Sequence, residues 1–378
     1  QVVVQLIDAE TDAHTWAETW TRPSGDIMSV LNEVSRQVSR QINQKISEPL
    51  AQVVEEQTLP DELLRRYLQG MHHASRRTVP SLEQAMVCFQ DVLNGHAGHA
   101  PALAGMALCH VLLVHYGAEP ADQGMPVARE FAERALQYDP DSADALGNLA
   151  AFHFFHSWDF GKAGELAERA LSIKPSMGMG MMLAANVNLV LGRYEKSQSL
   201  LDKAISVDPL NVGLLMNSGD ILILQRRYGE AIANLDQALE MAPQMRPARL
   251  RLALAQAMHG QAEQAETTLQ QALESGSEDA AYYEYRAIIA QQSGNTDLAL
   301  NSAEALQALA DRDGGVLPWS LARAWAAAGE LDRAVGFLEE AYETHSTSMP
   351  FLGLTPMLDS VRQRPEVVEL IKRLGLPV

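Results

Sequence analysis

The sequence predicts a mainly α fold: an α-solenoid of about eight helix–turn–helix repeats with a capping helix behind it and a β-hairpin and one helix in front. Three observations carry this. Small residues recur at Ala128, Ala163, Ser197, Ala231, Ala265, Ala299 and Ala334, at intervals of 34 or 35 residues. A second small residue follows seven positions later at Ala135, Ala170, Ala204, Ala238, Ala272 and Ala341. Prolines recur in the same phase at Pro140, Pro175, Pro209 and Pro243. Two antiparallel helices of about a dozen residues fill such a period, and where they cross closely only a small side chain fits. Proline cannot continue a helix, so it marks the turn that opens the next unit.

Taken in order, residues 1–50 stand outside the repeat. "QVVVQLIDAETDAHTWAETW" is β-branched and alternating, with Val2, Val4 and Leu6 on one strand and Trp16 and Trp20 on a second, around a polar "DAETDA" turn. Ile27, Leu31, Val34, Val38, Ile42 and Ile46 then fall at helical spacing, which predicts an amphipathic helix over about 25–47. A lone hairpin is marginal in water, so this part reads as the tail of an α/β module whose earlier part precedes Gln1. Its free edge offers a pairing surface for a homodimer. The repeats occupy 60–350, in units beginning near 61, 100, 141, 176, 210, 244, 278 and 315. The second unit carries extra residues around "YGAEPADQGMP". Residues 354–378 close the array with "PEVVELIKRLGL" (365–376), an amphipathic helix of the kind that must cover an array's last apolar face.

The stretches "GRYEKSQSLLDKAISVDP" (192–209) and "RRYGEAIANLDQALEMAP" (226–243) resemble tetratricopeptide (TPR) repeats in the hairpin aromatic (Tyr194, Tyr228), the small residues and the closing proline. A wider resemblance lies in the order of segments: hairpin, "TWAETW", helix, "LLRRYLQGMHHASRRTVPSLEQAMVCFQDVL" (63–93), the repeats, "LPWSLARAWAAAGELDRAVGFLEEAYE" (317–343) and "PMLDSVRQRPEVVELIKRLGLP" (356–377). This order is similar to the C-terminal region of bacterial CadC-like winged-helix transcriptional regulators, and to relatives fused to adenylate cyclase domains. Residues 1–50 then resemble the end of the TolB-like α/β module that precedes the repeats there. The resemblance implies a sensory or regulatory part of a one-component regulator whose output domain lies before Gln1. The alternatives it leaves open are the regulatory region of an adenylate cyclase and a free-standing TPR scaffold.

A net charge of −19, from 29 basic and 48 acidic residues, repels phosphate backbones, so no nucleic acid contact is expected of this segment. No apolar run reaches the roughly 18 residues that span a bilayer, so no membrane insertion is expected of it either. A membrane segment upstream, as in the resembled family, would place the chain in the periplasm; without one it is cytoplasmic.

In a TPR array the first helix of each unit lines the concave surface. The repeat register assigns Asn148, Met179, Met182, Asn186, Met216, Asn217, Asp220, Leu250, Arg251 and Leu254 to that surface. An asparagine can clamp a peptide backbone as donor and acceptor at once. Peptide-binding TPR proteins carry Asn at the positions of Asn148 and Asn217, but the lysines that accompany it for a C-terminal carboxylate are missing here. Arg251 is left as a cation for an anionic group. The methionines of "SMGMGMML" (176–183), with Met216, suit an adaptable apolar groove or simply fill the core, as Met181 is expected to do. A protein or peptide partner is therefore expected in the concave groove.

Eight of the eleven histidines lie between 72 and 156: His72, His73, His96, His99, His110, His115, His153 and His156. They read either as packed or solvated imidazoles or as a metal- or pH-sensing group; no Cys or carboxylate completes a ligand spacing, so no metal or cofactor is assigned. Cys88 and Cys109 fall on successive helices, as two buried thiols or one bridge. The basic clusters "SRRT" (75–78) and Arg246, Arg249 and Arg251 read as a solvated face, as internal ion pairs or as a contact for an acidic partner. No phosphate loop, "GxSxG" or "HExxH" occurs, and "DRDGG" (311–315) lacks the distal Glu of a calcium loop. The chain is read as a non-catalytic binding module.

Overall fold

In the computed structural model the described residues are 2–8 and 13–20, for their backbone, and 59–274, 276–313 and 315–377. The chain divides into two units, Gln1–Glu62 and Leu63–Val378. In the first, strands β1 (Val2–Asp8) and β2 (Ala13–Trp20) pair antiparallel, Val2 opposite Trp20 and Leu6 opposite Trp16, with an irregularity between Leu6 and Ile7. The hairpin expected from the alternation is therefore present. The helix expected over about 25–47 lies outside the described residues.

The second unit is built of helix pairs whose boundaries follow the repeat. They are α1 (Asp61–Ser75) with α2 (Val79–Gly95), α3 (Ala100–His115) with α4 (Ala121–Tyr138), α5 (Ala143–Phe155) with α6 (Phe160–Ile173), and α7 (Gly178–Val190) with α8 (Tyr194–Val207). There follow α9 (Val212–Leu224) with α10 (Tyr228–Met241), α11 (Arg246–Met258) with α12 (Ala262–Glu274), α13 (Ala280–Gln292) with α14 (Thr296–Asp313), and α15 (Pro318–Ala327) with α16 (Leu331–Glu343). The periodic small residues explain the pairing. Every one, from Ala128 to Ala334 and from Ala135 to Ala341, is completely buried, so each sits where two helices approach too closely for a larger side chain. The four periodic prolines are exposed in the turns between units.

Each turn between the two helices of a pair holds one residue in the left-handed conformation, and in most of them the next amide closes a bond five residues back, as from Arg193 to Asn188 and from Gln261 to Gln256. Five of the eight turns use glycine (Gly117, Gly192, Gly260, Gly294, Gly329). The other three hold Arg77, Trp158 and Arg226 at φ 51°, 54° and 62°, a conformation that disfavours a Cβ.

After α16 the chain turns at His345 (φ 52°), passes through two short 3-10 turns, Met349–Phe351 and Pro356–Leu358, and ends in α17 (Pro365–Arg373). Val367, Leu370 and Ile371 of α17 are buried, as a cap requires. The segment between α16 and α17 does more than the sequence led us to expect. Met349, Leu352, Leu358 and Val361 are wholly buried, and this strap folds back onto units far away in the chain. One apolar cluster thereby runs from Val111 in the second unit to Leu376.

Candidate functional site

The strap grips the solenoid at its inter-helix turns. His345 stacks on Trp158 (ring centroids 4.7 Å) and lies 4.5 Å from the ring of His156, whose carbonyl faces its Nδ1 at 3.0 Å. Phe351 meets Phe154 at 5.7 Å. Asp359 takes both guanidinium nitrogens of Arg226, at 2.8 and 2.9 Å, together with Arg362 at 2.5 Å. Two of the three strained turn residues, Trp158 and Arg226, are thus the ones that hold the strap. Burial, reinforced by the neighbouring His345, lowers the His156 pKa to about 4.

The ten residues assigned to the concave surface divide into two groups. Asn148 is buried and donates through Nδ2 to the Ala104 carbonyl (2.8 Å), pinning α5 to α3. Met182, Leu250 and Leu254 are only 3% exposed and belong to the core. Packing occupies these four. Met179, Asn186, Met216, Asn217, Asp220 and Arg251 remain half-buried. Arg251 is not a free cation: its Nε donates to both carboxylate oxygens of Asp220 at 2.8 Å, and its Nη1 to the Pro247 carbonyl. Burial works against its charge, but Asp220 and the nearby Tyr285 hydroxyl outweigh that and hold its pKa above the ordinary range. Two helices further along, Glu284 and Arg323 form a second, nearly buried ion pair at 2.5 Å.

Met179 and Asn217 come together. With Gly178, Asn211, Asp208 and the side chain of Arg77 they line a recess of about 130 Å³. Arg77, from the first helix pair of the array, is exposed and has no ion-pair partner among the described residues. Sequence register could not reach it, because the turn between α1 and α2 belongs to no concave position. Its traces in the sequence are the "SRRT" cluster, one reading of which is a contact for an acidic partner, and a charged residue at a turn position where most other repeats carry glycine. A larger cavity, about 910 Å³, lies between α8, the α9–α10 turn and the strap.

Arg246 grips Asp279 through two bonds of 2.7 and 2.8 Å, and Arg249 donates to main-chain carbonyls, so this basic cluster consists of internal contacts. Cys88 and Cys109 are buried free thiols, and burial pushes the Cys109 pKa to about 12. His110 pairs with Glu119 at 2.9 Å, and His99 caps α3 by accepting from the Ala102 amide at 3.1 Å. Among the described residues no three His, Cys, Asp or Glu side chains converge as a metal set, and no helix is long and apolar enough to cross a membrane.

Two tetratricopeptide-repeat family models match the chain, over residues 182–246 and 222–289. Solved structures similar to it include a tetratricopeptide repeat protein from Parabacteroides merdae, 12% identical, with 73% of this chain and 99% of that one covered and a TM-score of 0.46. The type IV pilus biogenesis factor PilW is 25% identical over 56% of this chain and 96% of its own, at a TM-score of 0.43. Human IFIT1 is 19% identical over 70% and 69%, at 0.49. No curated protein matches.

Proposed function

We propose that this TPR solenoid is a non-catalytic module that binds an extended segment of a peptide or protein partner across its concave surface, with an acidic side chain or chain end seated against Arg77 and Asn217. The observation that carries this reading is the recess that Met179 and Asn217 share with Arg77. Asn217 supplies donor and acceptor for a peptide unit, Met179 adapts to an apolar neighbour, and Arg77 supplies a cation where the sequence offers no lysine. A space of about 130 Å³ admits one side chain or terminus and leaves the rest of the segment on the open surface. Selection of a phage-displayed random peptide library on the chain tests it. Selected peptides should be rich in Asp or Glu, and should lose binding to a chain carrying Arg77→Ala and Asn217→Ala. Equal binding to both chains overturns it.

The order of segments further supports a regulatory role, as the sensory part of a one-component bacterial transcriptional regulator. The coding sequence ahead of the Gln1 codon tests this part. A winged-helix domain there supports it, and a cyclase domain selects the other relative of the same layout.

A further inference from the structure

The large cavity under the strap lies apart from the concave recess. Its walls come from α8, the second helix of its pair, from the α9–α10 turn and from the strap itself. One wall has more donors than acceptors. Arg226 and Arg362 share a single carboxylate, that of Asp359; Arg362 also donates to the Thr355 carbonyl, and Arg227 is engaged by Glu230 and by Gln198 of α8. The Nε of Arg362 and the Nε2 of Gln225 are buried with no acceptor at all, and a buried donor without an acceptor costs stability until one is supplied. The α8 wall carries two carboxylates. Glu195 and Asp202, seven residues apart on one side of α8, both line the cavity. Glu195 has no cation paired with it among the described residues, and Asp202 accepts a bond from Gln198 at 2.7 Å.

A ligand that satisfies both walls carries an acceptor-only group at one end and a cation at the other. A polyanion such as phosphate is repelled by the α8 carboxylates, and an amine alone leaves the guanidinium wall unmatched. The volume, about 910 Å³, is at the upper end of small-ligand sites and exceeds what one amino acid fills. We propose that this cavity is a second binding site, for a short peptide with both ends free. Its carboxylate lies against Arg226 and Arg362, in exchange with Asp359, and its ammonium against Glu195 and Asp202.

Three degenerate tripeptide pools test the assignment: free, N-acetylated and C-amidated. Each is equilibrated with the full chain at about 1 mM total peptide and retained peptide is counted by ultrafiltration and mass spectrometry. The free pool should be retained and each blocked pool retained roughly fivefold less or weaker still. Glu195→Gln, at an exposed position of α8, should lower retention of the free pool and leave the acetylated pool unchanged. In the double variant Arg77→Ala, Asn217→Ala, which removes the share held by the concave recess, the free pool should still be retained above either blocked pool. No retention, equal retention of the three pools, or insensitivity to Glu195→Gln overturns the proposal. Loss of retention in the Arg77, Asn217 variant also overturns it, because the peptides then occupy the concave recess and only the reading of that recess survives.

Discussion

Arg226 and Asp359, 133 positions apart, meet through two charge-assisted bonds of 2.9 and 2.8 Å. Arg226 holds the left-handed turn conformation at φ 62° that five other turns give to glycine. The penalty for an L-residue there is about 1–2 kcal/mol, and the ion pair is the visible return. Both side chains are nearly half exposed, at 46% and 44%, so the pair itself contributes only about 0–1 kcal/mol.

Because the strain and the ion pair act in opposite directions, Arg226→Gly should change overall stability little while loosening the strap. Asp359→Asn should have the same local effect without relieving the turn. Hydrogen exchange measures both: amides of residues 346–362 should exchange faster in either variant, with those of α5 and α7 unchanged. Unchanged exchange in the strap means that apolar burial of Met349 and Leu352 holds it alone.

Phe89 is gripped by two glycines on different helices. A Cβ at Gly70 would come within 2.7 Å of its ring, and one at Gly105 within 2.6 Å. The ring is completely buried. Gly105→Ala should therefore cost about 1–3 kcal/mol by overpacking, measured by urea denaturation, although alanine is the better helix former. Adding Phe89→Leu should recover part of the loss. A stabilised Gly105→Ala chain contradicts the packing argument.

Much of this fold is legible in the sequence because the repeat states the same physics many times. The fully buried Ala163, Ser197 and Ala231 mark helix crossings that any one unit would leave ambiguous. The strap was not legible, since it is used once: nothing periodic announces that His345 will lie on Trp158 or Asp359 on Arg226. The concave residues were legible only in part. Helical register places Asn148 and Leu250 near the inner face, but it does not say how tightly neighbouring first helices pack, and close packing took both out of reach. Register also follows one repeat into the next, so it has no way to bring Arg77 from the first repeat beside Asn217 in the fifth.

Asn148 and Asn217 separate these two situations in one experiment. Asn148→Ala removes a buried bond to the Ala104 carbonyl and should cost about 1–3 kcal/mol with peptide binding unchanged at temperatures where the chain is folded. Asn217→Ala, at a half-buried position that lines the recess, should cost little stability and weaken the selected peptides. Calorimetric titration beside thermal melts reads both quantities, and the reverse pattern would return Asn148 to the binding surface.

His99 gives the fold a pH dependence whose sign can be worked out. Its ring is 8% exposed, lies 5.1 Å from the Tyr67 ring, and caps α3 through a neutral Nδ1 that accepts the Ala102 amide. Burial first, and the neighbouring His96 second, lower its pKa from 6.5 to about 4. Between those values the unfolded chain binds a proton that the folded chain refuses. Stability is therefore fully present above pH 6.5, falls as pH drops from about 6.5 to about 4, and gains no further slope from this group below that. The full effect is at most about 3 kcal/mol. His156, lowered to about 4 by burial and His345, adds to the same slope from the strap side. Asn caps a helix as well as any residue and does not titrate, so His99→Asn should keep the helix and flatten the dependence. Urea denaturation at pH 7 and pH 4.5 measures it: the drop in unfolding free energy should be smaller in the variant than in the parent. An equal drop would mean that groups other than His99 set the pH dependence.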